Sequence, residues 1–294
     1  MKKRRFFCLI CSLLILAAGQ VCAEENPPRQ DALARARVIG YAMQIHDYTW
    51  TLPEEVGAIL LYNRNYSVTL NGNRPVFRTV KPFVATGTVR GIPYSLAVYG
   101  NGMEVPFSEY RELSNMDRVQ IANIYNYGSY GKRISMLYGM SCVTFLSECL
   151  RQGFPDEDLP LQKGVGDFVY EEHWKQHFTL GKRFLSNYAR LQAGDFLYRD
   201  GHAVLVVEND PEGHRLRIIE QTPPDYACQN CENITDVTVT LYYRGKPSQV
   251  EARRLCMECE ACRAATTGTY YHWTDYETLR KEEYRPVFVN YPED

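Results

Sequence analysis

The chain has 294 residues, enough for one large domain or two small ones. Its 45% hydrophobic, 13% aromatic and 23% charged residues fit a globular protein and exclude wholesale disorder or a fibrous repeat. A formal net charge of −2 without an extended basic stretch argues against a nucleic-acid partner.

The chain opens with a charged segment, Lys2 to Arg5, followed by a 13-residue apolar core, Phe6 to Ala18. Val21-Cys22-Ala23 then places small residues where a signal peptidase reads them. This pattern predicts a signal peptide over 1–23, cut after Ala23, and a destination in the periplasm or outside the cell. A lipoprotein anchored at Cys22 is the weaker reading, because Gly19-Gln20-Val21 fits a lipobox poorly. Residues 24–30, with Pro27-Pro28, read as a solvated linker. The remaining 271 residues hold 29 basic and 35 acidic side chains, and no later apolar run reaches membrane-span length.

Residues 31–45 read as a helix with Leu33, Ala36, Ile39 and Met43 on its inner face. Short apolar runs broken by Asn and Gly predict strands and turns over 56–90. Asn115 is placed to cap a helix carrying Val119, Ile121, Ala122 and Ile124. Another helix is predicted from Ser141-Cys142 to about Leu150, ended by Gly153-Phe154-Pro155. Glu172 to His177 puts His173 and His177 one turn apart, a spacing that could bind a metal but suits a solvated helix better. Strands are expected at 196–198, 203–207 and 216–221, with a loop over 208–213. Thr274 and Glu277 resemble a capping box for a last helix, and 287–289 a last strand. Helices first and an antiparallel sheet later give the α+β class, with residues 31–294 as one domain.

Three residues carry a nucleophile's chemistry. Cys142 follows Tyr138-Gly139 and opens an apolar helix, where the helix dipole favours a thiolate. His202 follows Asp200-Gly201 at the mouth of a buried strand. The next strand offers Glu220 to fix the imidazole, and only one of Glu220 and Gln221 can face the ring from a regular strand. His214 is a second polar neighbour in sequence, but it falls in the loop. Cys149, seven residues along the same helix, reads as core, and Val143 stands where a serine elbow would need Gly.

Tyr138-Gly139-Met140-Ser141-Cys142-Val143-Thr144-Phe145, Ala193-Gly194-Asp195-Phe196, Gly201-His202-Ala203-Val204-Leu205-Val206 and Ile218-Ile219-Glu220-Gln221 together resemble the NlpC-like and CHAP cysteine peptidases and amidases. The resemblance covers roughly residues 80 to 222. It implies a papain-like fold and hydrolysis of an amide bond in peptidoglycan, with no cofactor for catalysis. By the same resemblance Cys142 is the nucleophile, His202 the general base and then acid, and Glu220 the orienter. Gly91-Ile92-Pro93-Tyr94 resembles the segment whose Tyr lines the substrate and oxyanion region, so Tyr94 becomes an accessory donor. The chain departs from the family where Asp-Cys-Ser becomes Ser141-Cys142-Val143, and where Ala97-Val98-Tyr99-Gly100 replaces a Gly pair. An inactive binding module and a thioester-forming acyltransferase are the alternative functions.

A Cys-rich hairpin insert is expected at about 223–272. Cys228-x-x-Cys231 and Cys256-x-x-Cys259 are two knuckles separated by 24 residues, which contain the alternating Val237, Val239 and Leu241 and the turn Arg244-Gly245-Lys246-Pro247. The spacing favours a structural zinc on Cys228, Cys231, Cys256 and Cys259, with Cys262 as an alternative ligand. An exported compartment favours disulfides among the same residues instead, and both readings stay open.

Overall fold

Helix α1 (Ala32–Asp47) buries Ala34, Val38, Ala42 and Ile45, a stripe repeating at helical spacing. The larger apolar residues predict a different inner face, but Leu33 is 58% exposed, and Ile39 and Met43 pack only at the margin of the core. Two alanines on the buried stripe let the helix lie close to its neighbours, and that closeness outweighs side-chain bulk. The structure, a computed structural model, describes residues 31–51, 58–61, 68–71, 74–77, 83–86, 88–92, 94, 107, 119–121, 140–157, 176–222, 235–243, 246–254 and 268–292.

Strands β2 (Ala58–Leu61), β3 (Val68–Asn71), β4 (Arg74–Phe77), β5 (Phe83–Thr86) and β6 (Thr88–Arg90) lie in the stretch read as strands and turns, and an unanticipated strand β1 (Thr49–Thr51) precedes it and pairs antiparallel with β6. Residues 119–121 form strand β7 (Val119–Ile121) rather than the expected helix. It pairs parallel with β2, and β-branched Val119 and Ile121 suit that pleated setting. Helix α2 (Cys142–Arg151) begins at its predicted residue, because Ser141 caps it: the Ser141 hydroxyl accepts the Thr144 N–H at 3.3 Å.

The C-terminal half builds an antiparallel sheet. Its strands are β8 (Phe178–Leu180), β9 (Phe196–Arg199), β10 (His202–Asp210), β11 (Arg215–Gln221), β14 (Thr269–Asp275) and β15 (Arg285–Val289), in the order β14-β11-β10-β9-β15-β8. The chain is thus mixed α+β with an antiparallel sheet. Both sheet faces are covered. Phe196, Ala203, Leu205, Ile219, Val287 and Val289 pack with α1 and α2. The alternate residues Leu197, Val204, Val206, Leu216 and Ile218 pack with Tyr188 of helix α3 (Leu185–Tyr188) and with Tyr276 and Leu279 of helix α4 (Tyr276–Lys281). Burial on two sides explains the unbroken apolar run of β10.

Strand β10 continues through Glu208, Asn209 and Asp210, which the sequence reads as loop. The polar end is satisfied on site. Asn209 Nδ2 donates to the Tyr188 and Leu191 carbonyls at 3.0 and 2.8 Å, and Asp210 accepts from Arg215 at 2.8 Å. The last helix is capped by Asp275, which accepts the Thr278 N–H at 2.8 Å, rather than by a Thr274–Glu277 box.

Strands β12 (Thr235–Tyr243) and β13 (Lys246–Arg254) form the expected hairpin, in register from Thr235 opposite Arg254 to Tyr243 opposite Lys246. The hairpin is not isolated: it closes a five-stranded barrel in the order β12-β13-β5-β2-β7. No described helix is long and apolar enough to cross a membrane.

Arg35 ties the helical layer to the sheet. Its guanidinium donates to Asp195 Oδ1 at 3.0 Å and to the carbonyls of Ala193 and Val289, each at 2.8 Å. Asp195 is buried and also accepts the N–H groups of Gln192 and Val289, at 2.8 and 3.0 Å. Arg35→Ala leaves that carboxylate without its cation, so urea unfolding should show a loss of about 3 kcal/mol. A loss below about 1 kcal/mol would show that the strap contributes little.

Candidate active site

The site assembles where β10 begins. Asp200 and Gly201 turn the chain from β9 into β10, with Arg199 opposite His202. Gly201 takes φ +74°, a region that disfavours a side chain, and its carbonyl lies 4.0 Å from Cys142 Sγ. The β10–β11 register closes with Leu205 opposite Ile219. Ahead of that point the Ala203 N–H turns to the Cys142 sulfur, as does the Val143 N–H in the first turn of α2. The thiol therefore lies within electrostatic reach of two backbone N–H groups and of the His202 ring.

His202 and Glu220 meet at 2.5 Å, Nε2 to Oε2, and both are buried. The other carboxylate oxygen, Oε1, lies 2.9 Å from Nε2 of His272. Sheet geometry explains the row. Glu220 stands opposite Tyr270 and Ile218 opposite His272, so His272 is a diagonal neighbour of Glu220 on the same face. The His202 ring is also edge-on to Tyr284, with centroids 6.3 Å apart.

The electrostatics follow from this packing. Burial pushes the Cys142 thiol up, but the His202 bond and charge and the two backbone N–H groups outweigh it, and the thiol falls below its ordinary value. Burial pulls the His202 imidazole down, yet its bonds to Cys142 and Glu220 carry it up to about 9. Burial opposes the Glu220 carboxylate, and the two histidines hold it well below the usual carboxylate range. His272 is likewise raised: burial lowers it, and the Glu220 bond more than compensates. The set favours a thiolate–imidazolium pair backed by a carboxylate.

The structure brings Cys142, His202 and Glu220 together. Of the alternating pair Glu220 and Gln221, Glu220 is the one that faces the His202 ring, because the pairing of β10 with β11 brings it there. Gln221 points to the opposite side, donating to the Ile92 carbonyl at 2.7 Å and accepting the Thr269 hydroxyl at 2.7 Å. That bond holds the segment bearing Tyr94, which is buried and bridges in parallel to Met140, two residues before Cys142. Gly268 passes so close that a Cβ there would lie 2.4 Å from the Tyr94 N, hence the glycine. His214 lies apart, its ring 5.9 Å from that of Tyr276. Cys149 is fully buried in the core, and burial pushes its thiol well above the ordinary value.

His272 is the participant that sequence reasoning missed. It carries no motif; only the register of β14 against β11 would have found it. Cys228, Cys231, Cys256, Cys259 and Cys262 lie outside the described residues, as does His173. His177 sits in a turn before β8, its Nε2 3.1 Å from Glu157 Oε1. Among the described residues no group of three or more His, Cys, Asp or Glu could hold a metal ion.

No family model, curated protein or solved structure matches the chain.

The contrast between the two buried thiols is testable. Iodoacetamide near pH 7 should label Cys142 and spare Cys149, and His202→Ala should slow that labelling about tenfold or more. Peptide mass mapping reads both sites. Equal modification of the two cysteines would contradict an activated Cys142.

Proposed function

We propose that the protein is an exported, papain-like cysteine hydrolase that cleaves an amide bond, with peptidoglycan stem peptides as its substrate class. The observation that carries this reading is the contact of the Cys142 thiol, at the start of α2, with His202, whose Nε2 is held by Glu220. The substrate class and the export rest on the sequence resemblance and the leader.

With Nε2 donating to Glu220, the other ring nitrogen, Nδ1, serves the thiol. The Cys142 thiolate attacks the carbonyl carbon. The tetrahedral oxyanion takes the Cys142 N–H, which has no partner within its helix, and the Tyr94 hydroxyl is an accessory donor. Collapse breaks the C–N bond as His202 gives its proton to the leaving amine, leaving a Cys142 thioester. Water, deprotonated by His202, then adds to the thioester and releases the carboxylic acid and the thiol. Glu220 stabilises the imidazolium in each half-reaction. His272 touches none of the reacting atoms in this scheme; it is a positioning residue that fixes the second oxygen of Glu220.

Mass spectrometry of muropeptides incubated with residues 24–294 should reveal fragments with the mass of water added, absent with Cys142→Ala. Fragments carrying an amine in place of water would identify an acyltransferase. Unchanged muropeptides with a folded protein would overturn the substrate class.

The alkaline limb of kcat/KM should follow the loss of the His202 proton, near about 9. Glu220→Gln should lower kcat/KM about 10²-fold or more. His272→Ala should cost about tenfold, mainly in kcat, and move the alkaline limb upward, because the Glu220 charge it now shares is left to His202 alone. A lowered kcat with the limb unmoved would indicate a purely structural role for His272.

A further inference from the structure

The Asp200–Gly201 turn that approaches the Cys142 sulfur also borders a second feature. A cleft of about 680 Å³ opens beside it, lined by Lys182, Arg183, Arg199 and Arg285 against only Asp200 and Glu283. Arg183 and Glu283 pair at 3.0 Å across an exposed part of the wall. The four basic groups outnumber the two acidic ones on a chain whose net charge is −2. A concave site of one sign concentrates ligands of the opposite sign. Phe184, 59% exposed, and Tyr198 add apolar walls, so the cleft is built for a group that is anionic at one end and carbon-rich at the other.

The cleft adjoins the chemistry through Arg199. In the β9–β10 register Arg199 stands opposite His202, which places the two on one face of the sheet. Both pack on Tyr284: the Arg199 guanidinium lies 4.9 Å from the ring centroid, and the His202 ring 6.3 Å. His202 is the group that gives its proton to the leaving amine, so what lies beyond His202 is the leaving side of the scissile bond. Guanidinium and ammonium donors at that position match a carboxylate.

We propose that this cleft binds a carboxylate carried by the leaving portion of the substrate, so that the enzyme prefers bonds whose cleavage frees an amino acid or short peptide with a free carboxyl end. The inference rests on the reading of Cys142 as nucleophile and His202 as acid. It adds a substrate preference that those two residues do not specify.

The test uses the reverse geometry, in which an incoming amine occupies the leaving-side site. p-Nitrophenyl acetate acetylates the thiol of residues 24–294 and releases p-nitrophenol. The acetyl group is then offered to alanyl-alanine or to its C-terminal carboxamide at equal concentrations of free amine. Attack by that amine breaks the thioester, forms the N-acetyl dipeptide and regenerates the thiol. Transfer to the free-carboxylate dipeptide should exceed transfer to the carboxamide about tenfold at low salt. The preference should fall to within about twofold at 1 M salt and in the Lys182→Gln, Arg285→Gln double variant. Lys182→Glu alone, on an exposed side chain, should reduce it too, which covers the case of a double variant that does not fold. Acetylation of Cys142 with equal transfer to both dipeptides overturns the carboxylate cleft and leaves the nucleophile standing. A folded protein that never acquires acetyl on Cys142 overturns the nucleophile and the cleft proposal with it.

Discussion

The buried carboxylate of Glu220 constrains the architecture of the site more than any other group. An ionised carboxylate withdrawn from water is costly unless its oxygens are hydrogen-bonded or paired. Here each oxygen meets an imidazole, His202 at 2.5 Å and His272 at 2.9 Å. Those partners come from the strands on either side of β11, so the charge is tolerated only when β10, β11 and β14 sit in this register. A slip of one residue would turn Glu220 toward the Ile92 carbonyl, where Gln221 now donates, and would leave a carboxylate facing a carbonyl oxygen. The same slip would withdraw the amide that holds the Tyr94 segment beside Met140. The orientation of the His202 ring and the sheet register are therefore specified by one pair of adjacent residues.

Cys142 and Cys149 show how far surroundings decide chemistry. Both thiols are buried and both lie on α2. Cys149 lies fully buried in the hydrophobic core beside the charge of Glu148, so its thiolate is disfavoured. Cys142 has the Val143 N–H from its own helix, the Ala203 N–H from β10 and the His202 ring. Burial costs both thiols the same kind of penalty; only at the helix start are there donors to offset it. Seven residues of helix separate a poised group from an inert one.

Much of this arrangement was legible in the sequence. Ser141 before an apolar helix marked the start of α2, and the apolar run after His202 marked a strand buried on two faces. Strand alternation stated that Glu220 and Gln221 must point apart. What it could not state was which of them faces the imidazole, because that depends on where β10 lies relative to β11. His272 was hidden for the same reason, since its partner is 52 residues away and its place comes from pairing alone. The inner face of α1 follows close fit rather than bulk, which the sequence pattern does not show: Leu33 lies outside while Ala34 and Ala42 lie inside. The apolar residues of β7 fit a short helix as well as a strand, and parallel pairing with the distant β2 decides between them.

The thiol and the imidazole reach each other from opposite sides of the sheet. Helix α2 packs on the face of Ala203 and Leu205, while strand alternation puts His202 with Val204 on the other face. They can meet only past the end of the sheet, where the Gly201 turn leaves no paired strand between them. Under the proposed reaction a substrate would lie across that edge, with its acyl carbon at the helix start and its leaving amine on the His202 and Arg199 side. The turn thus sets the distance between nucleophile and acid and also forms one lip of the cationic cleft. In that scheme its dihedral angles would be shared by the bond-breaking step and by recognition of the leaving group. A Cβ on Gly201 would meet no atom within 4 Å, so the φ of +74° is required by the backbone path and not by crowding. The glycine serves the geometry of the edge: a side chain there would favour relaxing φ, and that would move the Gly201 carbonyl away from the sulfur it now approaches.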